Sequence, residues 1–590
     1  MNRRNVSVRR KRRSTRLAVT LALVVLVLAA LAVGAVLLFG RPGGIPAPGA
    51  TPSASATAAP TPTPEPTFSM NVAATANTSP EAFGLISGIF EGATAIDSYM
   101  RPDPISFGTG AEYTGMEGVI TFRGNSYREG PTYGAAEVTA QKLEAVWDVP
   151  TGSVTKGSGS GYWTGSGWTG QPLIVKWPEE TRRIMNLDDG KKADPDLVEV
   201  IYACLDGNIY FMDLRDGTPT RPAIKTGGGP IKGTCSLYPD GTPMLFVGQG
   251  DNLPDSEDGQ VKYRIYSLID QSLIYTLPDG SKDPNAYRSW HAYDSSALID
   301  AGTDTLIEPG ENGILYTVKL NTQYDPEAGT LSVNPDPPVK LNYTTPEYSD
   351  SAGNAPGTRW WGFEASAVAW RNYIYLSDNG GKLMCVDVNT MKVVWVQDIW
   401  DDSNSTPLFE ESMEDGTAYI YISTSLHITA DKDDRGPIPI WKIDAATGEI
   451  VWESEPYDCH TVSGVSGGVE ATGLLGRHDL SNLVIYPIAR TPDKGSGVLA
   501  ALDRQTGKEV WSIPMDNYAW SSPAAVYTPG GKGYIIQCDS AGNMFLIDGA
   551  KGEILDTISL ETNIEASPAI FGDMIVVGTR GQQIFGVKIR

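Results

Sequence analysis

The stretch ALDRQTGKEVW, residues 501–511, carries three signals in close succession. Ala501 and Leu502 end an apolar run. Asp503 can fold its side-chain oxygen onto the backbone two residues on, and Gly507 supplies the positive φ of a tight connection. Trp511 then closes a second apolar run and offers a large face to bury against a neighbouring layer. The order is strand, turn, strand, with an aromatic anchor.

The pattern recurs. YFMDLRDGT (210–218), YSLIDQSLIY (266–275), VKLNTQYDPEAG (318–329), MCVDVNTMKVVW (384–395), WKIDAATGEIVW (441–452) and FLIDGAKGEILD (545–556) repeat it, with an acid or amide at Asp213, Asp270, Asn321, Asp387, Asp444, Asp503 and Asp548. FGVKIR (585–590) is an eighth copy, with Lys588 in that place. Eight units lie about 40–65 residues apart, each with room for four short strands, which predicts an all-β, eight-bladed propeller. The eighth unit lacks its outer strand. LEAVWDV (143–149), just before the first unit, reads like the missing piece beside GEIVWES (448–454) and GKEVWSI (507–513). It is expected to complete the last blade and close the ring, which removes two free sheet edges.

The pattern A-x-D-x-x-T-G-x-x-x-W, complete at Ala501–Trp511, resembles the tryptophan-docking repeat of pyrroloquinoline-quinone (PQQ)-type propellers. It is nearly complete at 442–452, where Lys442 replaces the Ala, and partial at 386–395, where Met391 replaces the Gly. VITFRGNSYREG (119–130) is similar to the segment that leads into the first blade of such proteins. The resemblance covers roughly 117–590. It implies either a quinone-dependent dehydrogenase or a non-enzymatic propeller that scaffolds or binds at cell surfaces.

Outside the repeats the charge is sharply divided. Residues 1–16 hold eight Arg and Lys and no acid, and 17–40 hold no charge, leaving 38 bases against 70 acids in 41–590, a net of −32. Such a body repels nucleic acid. Residues 17–39 are long and apolar enough to span a bilayer, too long for a signal-peptide core, and the basic run before them is expected to stay cytoplasmic. The expected order is therefore a basic cytoplasmic tail (1–16), a transmembrane signal-anchor helix (17–39), a Pro/Thr/Ala-rich linker (40–67), a poorly defined segment (68–116) and an extracytoplasmic propeller (117–590). Within 68–116, SPEAFGLISGIF (79–90) reads as a short helix capped by Ser79. The five cysteines, scattered and without a CxxC, read as buried apolar side chains rather than a disulfide framework.

Candidate chemistry sits where inner strands begin. Eight such starts align: TGQP (169–172), KGTC (232–235), DSSA (294–297), EASA (364–367), NSTP (404–407), EATG (470–473), WSSP (520–523) and EASP (565–568). Their first column is Thr169, Lys232, Asp294, Glu364, Asn404, Glu470, Trp520 and Glu565, with aromatics upstream at Trp163, Trp168, Trp290, Tyr293, Trp360, Trp361, Phe363 and Tyr518. Asp294, Glu364, Asn404, Glu470, Trp520 and Glu565 are the expected ligand-binding residues of an axial funnel. Carboxylates beside aromatic faces suit a saccharide, a peptide amine or a cation, and a divalent metal is also open. The same acids could instead cap strand starts.

The dehydrogenases of the resembled family carry an adjacent Cys-Cys pair, a Trp platform, and Glu, Asn and Asp around calcium. This chain has no Cys-Cys, no CxxCH and no P-loop. The four histidines show no metal-ligand spacing, and DKDDRG (431–436) reads as a solvated loop. The expectation is a membrane-anchored, non-enzymatic binding or scaffolding module for an envelope protein, saccharide or peptide, with no cofactor. The alternatives are a PQQ- and calcium-dependent dehydrogenase of alcohols or sugars, or a lectin-like binder of cell-wall saccharide or peptide.

Overall fold

The computed structural model describes residues 71–590 apart from 169, 253–260, 279, 349–358, 413–415 and 463–464. The expected tail, anchor helix 17–39 and linker lie outside the described residues. Among those described, no helix is long and apolar enough to cross a membrane.

The described chain folds as eight antiparallel blades. Blade 6 shows the plan. Its inner strand Leu474–Leu475 pairs with Leu483–Ala489, then Gly497–Asp503, then the outer strand Glu509–Met515. Leu483–Ala489 is buried on both faces and reads as a continuous apolar run, whereas Glu509–Met515 alternates toward solvent. The expected closure is present. Leu143–Pro150 pairs antiparallel with Gln583–Ile589 and supplies the outer strand of blade 8. In six blades the ladder shifts register on reaching the outer strand, as between Ala501 and Leu502. Such bulges bend an edge strand away from further pairing.

The turn residues act as their chemistry dictates. Oδ1 of Asp503 accepts from Gln505 N (3.1 Å), and Asp213, Asp387 and Asp444 repeat the contact. Gly507 has φ +69°, and a Cβ there would lie 2.6 Å from the ring of Trp452 of the preceding blade. The docking Trp therefore lies flat on its neighbour's turn, and its Nε1 donates into it: Trp452 to Arg504 O (2.9 Å), Trp511 to Gly549 O (3.1 Å), Trp395 to Ala445 O (3.1 Å) and Trp147 to Leu214 O (2.9 Å). Where Met391 replaces the glycine it still takes φ +53°.

A ring of hydrogen bonds ties the inner strands around the axis. Ser522 N donates to Ser567 Oγ, Thr472 N to Ser522 Oγ, Thr406 N to Thr472 Oγ1, Ser366 N to Thr406 Oγ1 and Ser296 N to Ser366 Oγ, all at 2.9–3.1 Å. Ser296 Oγ to Thr234 O, Gln171 N to Thr234 Oγ1 and Ser567 N to Gly170 O complete it. This explains why the third letter of the aligned words is Ser or Thr in seven of eight.

Two segments depart from the sequence reading. Residues 79–90 are not one helix. Pro80–Phe83 is a single 3₁₀ turn with Ser79 as its cap, ended by Gly84 at φ +59°, and Ile86–Glu91 is a strand. The stretch 71–116, undefined by sequence, straps the rim. Thr75 Oγ1 bonds Glu449 in blade 5, Val396 N of blade 4 donates to Thr78 O, and Ile86–Glu91 adds to the outer strand Val339–Thr344 of blade 3. In blade 3 the turn after Asn321 is also longer than the repeat suggests, because a hairpin (Gln323–Asp325, Thr330–Ser332) precedes the outer strand.

The segment leading into blade 1 is a plug rather than a connector. Arg123 and Arg128 are fully buried and satisfied by backbone carbonyls of several blades. Arg123 donates to Pro523 O and Gly473 O (both 2.7 Å), and Arg128 to Ser296 O (2.7 Å) and Ala367 O (2.8 Å). Burial lowers both guanidinium pKa values, to about 9 and about 10.

Candidate functional site

Away from this plug, the loops entering the inner strands converge on the axis. Asp294, Glu364, Asn404, Glu470 and Trp520 line one cavity of about 30 Å³ together with Trp168. Five of the six expected residues thus share one place. Glu565 does not line it: its carboxylate turns to Asn563 Nδ2 (2.8 Å) and Arg580 (3.4 Å). Thr169 lies outside the described residues.

The site has two halves. On one side Lys232 Nζ pairs with Asp294 Oδ2 at 2.9 Å, and sits 4.9 Å from the ring centroid of Trp168, 5.3 Å from Trp163 and 5.9 Å from Trp290. Burial alone would lower the pKa of this ammonium, but Asp294, Glu311 and Glu364 together raise it. On the other side Asn404 Nδ2 donates to Glu470 Oε2 (2.6 Å), and Trp520 packs edge-on against Trp168 (6.0 Å between centroids). Here Glu470 Oε1, Asn404 Oδ1 and Trp520 Nε1 are buried and have no partner.

A second ring of polar groups comes from elsewhere. Glu311, in the turn between the second and third strands of blade 3, accepts from Trp290 Nε1 (2.6 Å). Asn379, in the equivalent turn of blade 4, bridges Asp402 Oδ1 (2.8 Å) and Glu364 Oε2 (3.3 Å). His427 lies 3.4 Å from Asp402. Sequence reasoning missed these because it aligned one column per blade. The same alignment applied to the following turn would have found Glu311 and Asn379.

The crowding of acids shifts their titration. Burial, then Asp294 and Asp402, pushes Glu364 up to about 7. Burial, then Asp402 and Glu364, pushes Glu470 up to about 8, against the pull of its Asn404 bond. Glu311 lies well above the carboxylate range, chiefly through burial and Glu364. His427 is raised to about 9, first by its bond to Asp402. Oxygens of Asp294, Glu311 and Glu364 lie within 4.8 Å of one another, a spacing a hard cation of calcium's size can bridge. Each already has an N–H partner, however: Lys232 on Asp294, Trp290 on Glu311 and Trp168 on Glu364 at 2.6 Å.

The family model described as outer membrane protein assembly factor BamB matches residues 350–472 and 495–590. Quinohemoprotein alcohol dehydrogenase ADHIIG from Pseudomonas putida HK5 is similar in structure at 12% identity and a TM-score of 0.50, over 80% of each chain. BamB from Moraxella catarrhalis is similar at 13% identity and a TM-score of 0.40, over 70% of this chain and 96% of that one. A europium-containing methanol dehydrogenase gives 11% identity and 0.39, over 80% and 98%. No curated protein matches the sequence. Repeat, blade plan and fold likeness together make the body of this chain an eight-bladed propeller of the quinoprotein-like fold, with the family match confined to 350–472 and 495–590.

Proposed function

We propose that this protein is a non-catalytic binding module, an extracytoplasmic propeller held to the cell membrane through residues 17–39, which engages an envelope ligand or partner protein at its axial mouth. The observation that carries this reading is the convergence of Asp294, Glu364, Asn404, Glu470, Trp520 and Trp168 on one cavity with unsatisfied, buried acceptors. Buried polar atoms are normally paired, so acceptors left bare in a cavity point to an external donor. The family match to an assembly factor supports a partner-binding role.

The quinone-dependent reading is favoured only by the likeness of fold. PQQ is a rigid tricyclic tricarboxylate, and the residues present do not fit it. The cavity of about 30 Å³ holds one or two water-sized groups. Its walls are carboxylates, which repel an anion. Lys232 is already paired with Asp294, and Arg288 is bound to the carbonyls of Trp361 (2.7 Å) and Glu311. No step is therefore routed through a quinone. The test is to add PQQ and calcium to the full chain in detergent with an artificial electron acceptor and a panel of alcohols and sugars. No dye reduction and no thermal shift are expected. Turnover above the quinone-free control would overturn the proposal.

A further inference from the structure

The two halves of the mouth are chemically alike but differently filled. In the first, a carboxylate (Asp294) and three indole rings hold an ammonium, and that ammonium is the chain's own Lys232. In the second, a carboxylate (Glu470), an amide oxygen (Asn404) and two indoles (Trp168, Trp520) stand around the cavity with the acceptors bare. Glu470 is 6% exposed, so its free Oε1 is not satisfied by bulk water.

From this we infer that the second half is a binding site for the primary ammonium group of an external ligand, such as an amine-bearing side chain or amino sugar. The inference rests on the reading of the mouth as a binding site and specifies what it takes. Three features select an ammonium. The volume accommodates one –NH₃⁺ among its lining residues. Its three protons match three acceptors that have no partner and belong to residues lining the cavity: Glu470 Oε1, Asn404 Oδ1 and Asp294 Oδ1. Aromatic faces attract an ammonium and offer nothing to a metal ion, whose six to eight oxygens this half does not supply. The Asp294–Glu311–Glu364 group, which has oxygens for a metal, already holds Lys232 and two indole N–H donors, which leaves Asp294 Oδ1 and Glu311 Oε1 unpaired there.

The probe is n-butylammonium, with n-butanol as its neutral isostere and calcium chloride as the metal arm. Each is titrated into the full chain in detergent micelles and followed by calorimetry and tryptophan fluorescence. Saturable binding of one n-butylammonium, not reproduced by n-butanol, is expected. Glu470→Gln keeps the shape and the contact with Asn404, and is expected to weaken binding at least about tenfold, as loss of a charge-assisted bond does. Trp520→Phe, a milder change, is expected to weaken it severalfold. Undiminished binding in both variants, or calcium binding without amine binding, overturns the inference. If a neutral saccharide quenches the tryptophans and the amine does not, the ammonium inference fails while the binding-module reading stands. Quinone-dependent turnover defeats that reading instead.

Discussion

The two ends of the propeller axis are built from opposite charges and treated in opposite ways. At the plugged end, Arg123 and Arg128 are wholly buried, and their guanidinium nitrogens end on blade carbonyls at 2.7–2.8 Å, on the lead-in's own Phe122 and Arg128 carbonyls at 3.0–3.3 Å, or on Thr121 Oγ1. At the mouth, carboxylates outnumber cations, and Asp294, Glu311 and Glu470 each keep an oxygen without a partner. Both ends carry the desolvation cost of buried charge. Only one answers it completely from within the chain. The saturated end is architecture, and the unsaturated end is where an outside group can lower the free energy.

The largest effect should come from the plug. Arg128→Met leaves the carbonyls of Phe122, Ser296 and Ala367 without this donor, and should cost on the order of 5 kcal/mol, read as a fall in the urea midpoint. A loss under about 1 kcal/mol would mean the plug is dispensable. Lys232→Ala strands Asp294 and should cost about 3–4 kcal/mol. Unlike Arg128→Met, it should be partly restored by n-butylammonium, which can occupy the emptied half; equal failure of rescue in both variants would erase the distinction drawn here.

The pH dependence comes next. Glu364 and Glu470 titrate at about 7 and about 8 in the folded chain, above the ordinary 4.5. The folded state then binds more protons than the unfolded one between these values. Their contribution is full below about pH 4.5 and is lost as pH rises through 7 and 8, so the melting temperature should fall across pH 5–8 by an amount worth about 6 kcal/mol. Glu470→Gln should flatten that slope. An unchanged slope would place the titration elsewhere. The smallest effect belongs to the rim: Trp452→Ala, half-buried on Gly507, should cost about 2 kcal/mol by calorimetry and leave amine binding unaltered.

The difference between the ends also marks how far the sequence could be read. Repetition made the blades legible, because Asp503, Gly507 and Trp511 answer a geometric demand that recurs in other blades. The strand 143–149 was legible for the same reason. Five site residues were found through the Ser/Thr words, since the hydroxyl ring fixes where each inner strand begins and so what stands two residues before it. Glu565 stands in the same column but outside that cavity, since a column cannot say that Arg580 lies within reach. The lead-in 119–130 was legible as an entry to the first blade, but neither its role as a plug nor the rim strap was. FRGNSYR occurs once, and its arginines find partners in blades 3, 4, 6 and 7, up to 400 residues away. No local pattern encodes such a contact.

The pairing of Leu143–Pro150 with Gln583–Ile589 sets a clock on synthesis. More than 400 residues separate the two strands, and at ribosomal rates of about 5–20 residues per second the first waits roughly 20–90 s for the second. Throughout that interval the nascent chain carries an unpaired strand edge, and two arginines whose acceptors are still being made. Folding is therefore committed late, when the last seven-residue strand arrives, and a chain shortened by that strand should be recognised by chaperones and proteases as an open sheet rather than as a propeller with one blade missing.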